Sequence, residues 1–218
     1  MDQKAYDNWV SDTDSRQQDS YCGGHRVSCN EKYFISNYAT SKILDIGCGT
    51  GRRTFPIWLK NHIRFYGIEA FDNLIRDSKY SQYIIHGKVG ADNFQTVVNT
   101  TMQKMELQEN ETFDIVFFLG GVVNSFIDYD HRLKSWSDIE YLSLKSKYIL
   151  IDTLSHFEWF YNSEKGKIIQ LMPTFPPQYF YSKKELFKLF DEHNLKQCEE
   201  REEDLNTIKR THFLLSKK

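Results

Sequence analysis

Residues 42–55 read KILDIGCGTGRRTF. The short run at 42–46 is apolar apart from its ends and Asp45, as a strand buried on both faces should be. Three glycines follow, Gly47, Gly49 and Gly51, and then a segment at 53–61 that fits a helix with Pro56 in its first turn. A ligand approaching such a turn meets bare backbone, because no Cβ stands in the way. In open α/β sheets ligands bind at the carboxyl ends of the strands, and the N-terminus of the following helix favours negative charge. Asp45 sits just before the first glycine, where a carboxylate orients the loop or meets an ammonium. Glu69 closes the next apolar segment, 63–68, and an acid in that place accepts hydrogen bonds from both hydroxyls of a ribose.

Outward from this turn, apolar strand-like segments alternate with helical ones. Tyr33, Phe34, Ile35 and Tyr38 fit one helix that packs beside the sheet, within an irregular or helical extension over 1–40. Asp72 is placed to cap a helix running to about residue 88, with Gly90 as its stop. The Val-rich segment 94–99 reads as a third strand and 113–119 as a fourth. A helix at 132–144 carries Leu133, Trp136, Ile139 and Leu142, and 148–151 is a fifth strand. A helix follows at 183–194, and 195–201 and 212–215 complete the series. Such alternation predicts an α/β fold with parallel βαβ units and a final strand running antiparallel at or near the edge. The domain proper is expected over 41–218, interrupted by an aromatic insertion at about 155–181.

The totals fit one domain of this kind: 218 residues, 40% apolar and 15% aromatic. The net charge of −2 argues against a nucleic-acid backbone as partner, which demands a basic face. No run is apolar over the length of a membrane span, and the polar N-terminus has no hydrophobic core of a secretory signal. Cys22, Cys29, Cys48 and Cys198 are irregularly spaced and read as reduced thiols, so a cytoplasmic location is expected. Cys22, His25 and Cys29 offer three metal ligands without a fourth, short of a structural zinc site, and no metal is expected.

ILDIGCGTG resembles the first motif of the class I S-adenosylmethionine-dependent methyltransferases, the Rossmann-like seven-stranded family. The dinucleotide fingerprint is Gly-x-Gly-x-x-Gly, whereas here Gly47-x-Gly49-x-Gly51 follows Asp45. The resemblance runs in strand order over roughly 42–218 and implies a doubly wound, mostly parallel sheet. It implies S-adenosyl-L-methionine as cofactor, released as S-adenosyl-L-homocysteine. Gly47, Cys48 and Gly49 would face the methionine part, with Asp45 nearby and Gly51 completing the turn. Glu69 would hold the ribose, and Ala70 and Phe71 would lie against the adenine. The family's third motif carries an acid after strand three. Its best-spaced match is VVNTTMQKMEL, with Thr101 in the acid's place and Met102 beside it, while Asp92 sits before that expected strand. FDIVFFLGGVVNSF is similar to the fourth motif, so Leu119 and Gly120 would line the cofactor's reactive end. The Asn124-Ser125-Phe126 run partly resembles that of glycine-methylating enzymes.

A sulfonium already carries an activated methyl group, so the protein's task is to align the acceptor and exclude water. An amine or hydroxyl acceptor also needs a base. His156, after the fifth strand, is one candidate. Tyr21 and His25 are others, in a segment with Gly23 and Gly24 that would act as a lid. Asn124 and Asp152 are strand-end polar groups placed to bind the acceptor, and Trp159 opens an aromatic run (Phe160, Tyr161, then Met172, Phe175, Tyr179 to Tyr181) placed to wall it. Pro176-Pro177-x-Tyr179 lies too far along the chain for the Pro-Pro-Tyr signature of nucleic-acid amino methyltransferases, which follows strand four. The reading is methylation of an N or O atom of a small molecule: an amine, sugar or secondary metabolite. The alternatives are an RNA or protein methyltransferase, or a non-catalytic subunit that keeps the fold. No pattern selects an oligomeric state.

Overall fold

The structure is a computed structural model, and it describes residues 8, 27–108, 110–155, 161–169, 178–205 and 208–218. A seven-stranded sheet runs in the order β3-β2-β1-β4-β5-β9-β8. Its strands are β1 (Lys42–Ile46), β2 (Arg64–Glu69), β3 (Ile84–His86), β4 (Phe113–Phe118), β5 (Ser146–Ser155), β8 (Leu195–Leu205) and β9 (Ile208–Lys217). The first five pair parallel, and β9 is antiparallel to both β5 and the edge strand β8. The reversal point of the order lies between β1 and β4, where open sheets bind ligands. A two-stranded sheet of β6 (Lys167–Ile169) and β7 (Gln178–Phe180), which the aromatic pattern alone does not announce, forms within the insertion.

Period-two alternation splits the central strands between two cores. Leu44, Ile46, Val116, Phe118, Ile149, Ile151, Phe213 and Leu215 face one side. Ile43, Ile115, Phe117, Leu150 and Leu214 face the other. The first side is covered by α4 (Phe94–Lys104), α5 (Tyr129–Ser143) and α6 (Lys183–Glu192), through Phe94, Val98, Trp136, Ile139, Leu142, Leu186, Leu189 and Phe190. The second is covered by α1 (Cys29–Tyr38) and α2 (Phe55–Lys60), through Phe34, Ile35, Phe55 and Trp58. Helix starts follow their caps. Ser28 and Glu31 form a reciprocal capping box on α1, and Asp128 and Ser182 each accept an amide of the first turn of α5 and α6. Among the described residues no helix is long and apolar enough to cross a membrane.

Two expected elements are corrected. Residues 94–99 begin helix α4 instead of forming a strand: the buried positions Phe94, Val98 and Thr101 recur at helical spacing, and packing overrides the weak helix preference of Val and Thr. The third strand lies inside the segment 72–88 that reads as one helix. Only α3 (Asp72–Arg76) is helical there, and a 3₁₀ turn at Ser81–Tyr83 feeds β3, whose three residues pair with Gly67, Ile68 and Glu69 of β2.

Candidate active site

The glycine turn leaves β1 with Gly47 N donating to Ile68 O at 2.8 Å, so it stays tied to the neighbouring strand. Gly47 has φ +65°, and a Cβ there would stand 2.6 Å from Val122 Cγ2. Gly49 has φ +58°, and a Cβ there would meet nothing of the described residues within 4 Å. One glycine lets the β4 turn approach, and the other leaves a clear space over the strand ends. Gly51 closes the turn, its amide on Cys48 O at 3.0 Å. Burial pushes the half-buried Cys48 thiol well above its ordinary value, so it stays protonated and unreactive.

Glu69 is buried at the end of β2 with its carboxylate fixed by three amides. Oε2 accepts from Gly49 N at 2.8 Å, and Oε1 from Ala70 N at 2.8 Å and Phe71 N at 3.1 Å. A carboxylate has about four lone-pair sites, so with three amides bound about one remains for a further donor. Burial raises the Glu69 pKa, and the amides oppose the rise. Asp45, also buried, takes the Thr54 hydroxyl at 2.9 Å. Burial pushes its carboxyl up to about 7, against Thr54 and the Arg53 charge. Among the described residues no cation touches this buried acid, and an ammonium would supply one.

The structure revises several assignments. Thr101 is fully buried within α4, its hydroxyl turned back to Val97 O at 2.8 Å, and Met102 packs against the core. Neither stands at a strand end, so neither is in the acid's place. Asp92 follows β3 instead of preceding a strand, and its exposed carboxylate pairs with Lys134 at 3.0 Å. Asn124 is fully buried, donating to Tyr179 O at 2.8 Å and accepting from Leu154 N at 2.9 Å, so it ties the β4 turn to β5 and β7 and has no face toward an acceptor. Asp152 is likewise fully buried. It accepts Gly120 N at 2.9 Å and Gly121 N at 2.7 Å, with Arg210 Nε at 3.3 Å. Both polar groups shape the turn that begins at Leu119 and Gly120; they do not project from it. His156, Trp159, Tyr21, His25 and Cys22 lie outside the described residues.

Beside the turn the fold gathers Glu31, Arg53, Arg210 and His212, whose meeting no local pattern marks. Glu31, Asp152 and His212 place ligand-type atoms within 4.8 Å of one another. Their carboxylates, however, are already engaged by guanidinium and amide donors, a donor set arranged around cationic side chains and not around an ion.

No family model and no curated protein matches the sequence. Solved structures do match. One is an S-adenosylmethionine-dependent methyltransferase from Clostridium acetobutylicum, at 13% identity over 99% of this chain and 92% of that chain, TM-score 0.55. Another is magnesium protoporphyrin IX methyltransferase from Synechocystis with S-adenosylmethionine bound, at 9% identity over 100% and 98%, TM-score 0.62. A third is a glycopeptide N-methyltransferase complexed with S-adenosylmethionine, at 11% identity over 87% and 92%, TM-score 0.60. The fold is therefore that of the Rossmann-like class I methyltransferases.

Proposed function

We propose that this chain, built on the class I methyltransferase fold, transfers a methyl group from S-adenosyl-L-methionine to an N or O atom of a small molecule. The observation that carries the reading is the Glu69 carboxylate, aimed by the Gly49, Ala70 and Phe71 amides beside a turn that is clear of side chains at Gly49. These residues fit the cofactor. Gly47, Cys48, Gly49 and the buried acid Asp45 would hold its amino-acid end, Glu69 its ribose, and Ala70 and Phe71 its adenine, with Leu119 and Gly120 at the reactive end. When bound, the cofactor supplies a methyl group already activated on a sulfonium.

The remaining work falls to the chain: to hold the acceptor atom in line, exclude water and take up a proton. His156, Tyr21 and His25 are our candidates for the proton acceptor and Trp159 for a wall of the acceptor pocket, on their places in the sequence, after β5 and ahead of α1. The net charge of −2 favours a small acceptor over a nucleic acid. A cytoplasmic setting accords with free Cys29, Cys48 and Cys198. The test is calorimetry with S-adenosyl-L-homocysteine: stoichiometric binding is expected, and a folded protein that takes up none of it would leave a scaffold role.

A further inference from the structure

The buried charges beside the glycine turn extend beyond Asp45 and Glu69, to residues with no part in the chemistry above. By strand parity Asp45, Glu69, Asp152, Arg210 and His212 share the sheet face that carries Ile43, Phe65, Leu150 and Leu214, the face under α1. Glu31 of α1 is fully buried at its centre. Its Oε2 accepts Ser28 N at 2.7 Å, as half of the capping box that starts the helix. Its Oε1 contacts the Arg53 guanidinium, which comes from the glycine turn. Arg210 Nη1 stands 3.8 Å from the same oxygen and His212 Nε2 3.9 Å. His212 is fully buried, and among the described residues neither ring nitrogen has a hydrogen-bond partner within bonding distance. One carboxylate thus both starts α1 and ties it to the turn, with the buried His212 imidazole 3.9 Å from the same oxygen.

Arg53 follows Gly51 by two residues, and its charge acts on the buried Asp45 carboxyl. An α-amino acid whose ammonium meets Asp45 carries its carboxylate on the adjacent carbon, within the field of that guanidinium. We propose that Arg53 anchors the amino-acid carboxylate of the ligand, that Glu31 is its internal competitor, and that the displaced Glu31 is received by His212 and Arg210. The start of α1 then reads whether the site is filled. This rests on the cofactor reading above.

The test compares two probes by calorimetry: S-adenosyl-L-homocysteine, and 5′-methylthioadenosine, which keeps the nucleoside and thioether but lacks the amino-acid end. Arg53→Gln should weaken the first about tenfold or more, as loss of a charge-assisted pair does, and leave the second within about twofold. Glu31→Gln removes the competing charge while a glutamine preserves the capping box; it should tighten the first about three- to tenfold, because the binding-competent fraction rises, and leave the second unchanged. A purely structural role for the pair would weaken both probes together in both variants, and that result overturns the proposal, as does unchanged S-adenosyl-L-homocysteine binding in Arg53→Gln. Melting curves check that the variants fold. If Glu31→Gln does not, hydrogen exchange at the first turn of α1 in the unmodified protein decides: faster exchange with S-adenosyl-L-homocysteine but not with 5′-methylthioadenosine supports the exchange of partners, and equal exchange sinks it. Should the unmodified protein bind neither probe, the cofactor reading itself fails; binding with no Arg53 dependence removes only the latch.

Discussion

Glu69 reaches across from β2 to the neighbouring turn, its Oε2 accepting the Gly49 amide at 2.8 Å, so this carboxylate and the glycine loop form one unit. Removing the carboxylate therefore loosens the loop as well as the ligand. Glu69→Ala should cost about 1–3 kcal/mol of S-adenosyl-L-homocysteine affinity, the usual range for a lost buried hydrogen bond to a charged group. Calorimetry at fixed pH measures it, and unchanged affinity would remove the ribose assignment.

Asp45 predicts a pH dependence. Burial lifts its carboxyl to about 7 in the ligand-free protein, and a ligand ammonium prefers the ionised form. Affinity for S-adenosyl-L-homocysteine should rise between pH 6 and pH 8 and level off above about 7, by up to roughly tenfold per pH unit on the acid side. The sign for folding is opposite. A carboxyl raised from 3.8 contributes stability that is complete below that value and is lost as pH rises to about 7. Asp45→Asn should flatten the binding profile and weaken it at pH 8; a profile that stays steep in the variant points to another group.

Gly47 and Gly49 separate folding from binding. An alanine at Gly47 combines a left-handed φ with a Cβ 2.6 Å from Val122 Cγ2, and should cost about 2–4 kcal/mol of stability. An alanine at Gly49 meets nothing of the described residues within 4 Å and carries only the backbone penalty, about 1–2 kcal/mol, yet its methyl would stand where the proposed cofactor lies. Denaturant melts should rank Gly47→Ala the less stable, while Gly49→Ala stays folded and loses most of its ligand affinity. Equal stability losses would mean that Val122 yields to a Cβ at Gly47 at little cost.

The glycine turn and Glu69 were legible in the sequence because their signal is local: an apolar strand, a run of glycines, an acid one strand on. The third strand was not, because β3 has three residues and too short a period to register, whereas Val97 and Val98 of α4 carry the composition of a strand. Asn124 and Asp152 were found in the right place with the wrong task. A polar residue at a strand end looks the same whether its side chain faces a ligand or, as here, turns inward to tie loops. Glu31, Arg53, Arg210 and His212 meet only after the sheet has formed, and no spacing in the chain announces them.

Asp152 gives a stability prediction at the β4 turn. Its two oxygens accept Gly120 N and Gly121 N, both residues being left-handed, and Arg210 is its cation. Asparagine removes the charge and turns an amide donor toward donors. Asp152→Asn should cost about 3–5 kcal/mol, as breaking one side of a buried ion pair does. Urea denaturation at pH 7 measures it, and a loss below about 1 kcal/mol would show that the turn is held by its own backbone.

Glu31 ties acid stability to the same buried group. Burial alone would raise its carboxyl, but His212, the Arg53 guanidinium and the Ser28 amide outweigh that and hold it at about 2, below the ordinary 4.5. A carboxyl lowered on folding contributes stability that is whole above the unfolded value and is lost as pH falls from 4.5 toward 2. The shift is worth about 3 kcal/mol at neutral pH. The unmodified protein should therefore lose stability steeply over that interval, measured by denaturant melts at successive pH values. Glu31→Gln has no carboxyl to protonate at this site, so its profile should be shallower by about that amount while starting lower at pH 7. Parallel profiles for the two proteins would show that the Glu31 charge is not held by the cations around it, and acid unfolding would then have to be traced to another low carboxyl such as Asp114, which takes Lys147 at 2.8 Å and the Thr40 and Ser41 hydroxyls at the opposite end of the sheet.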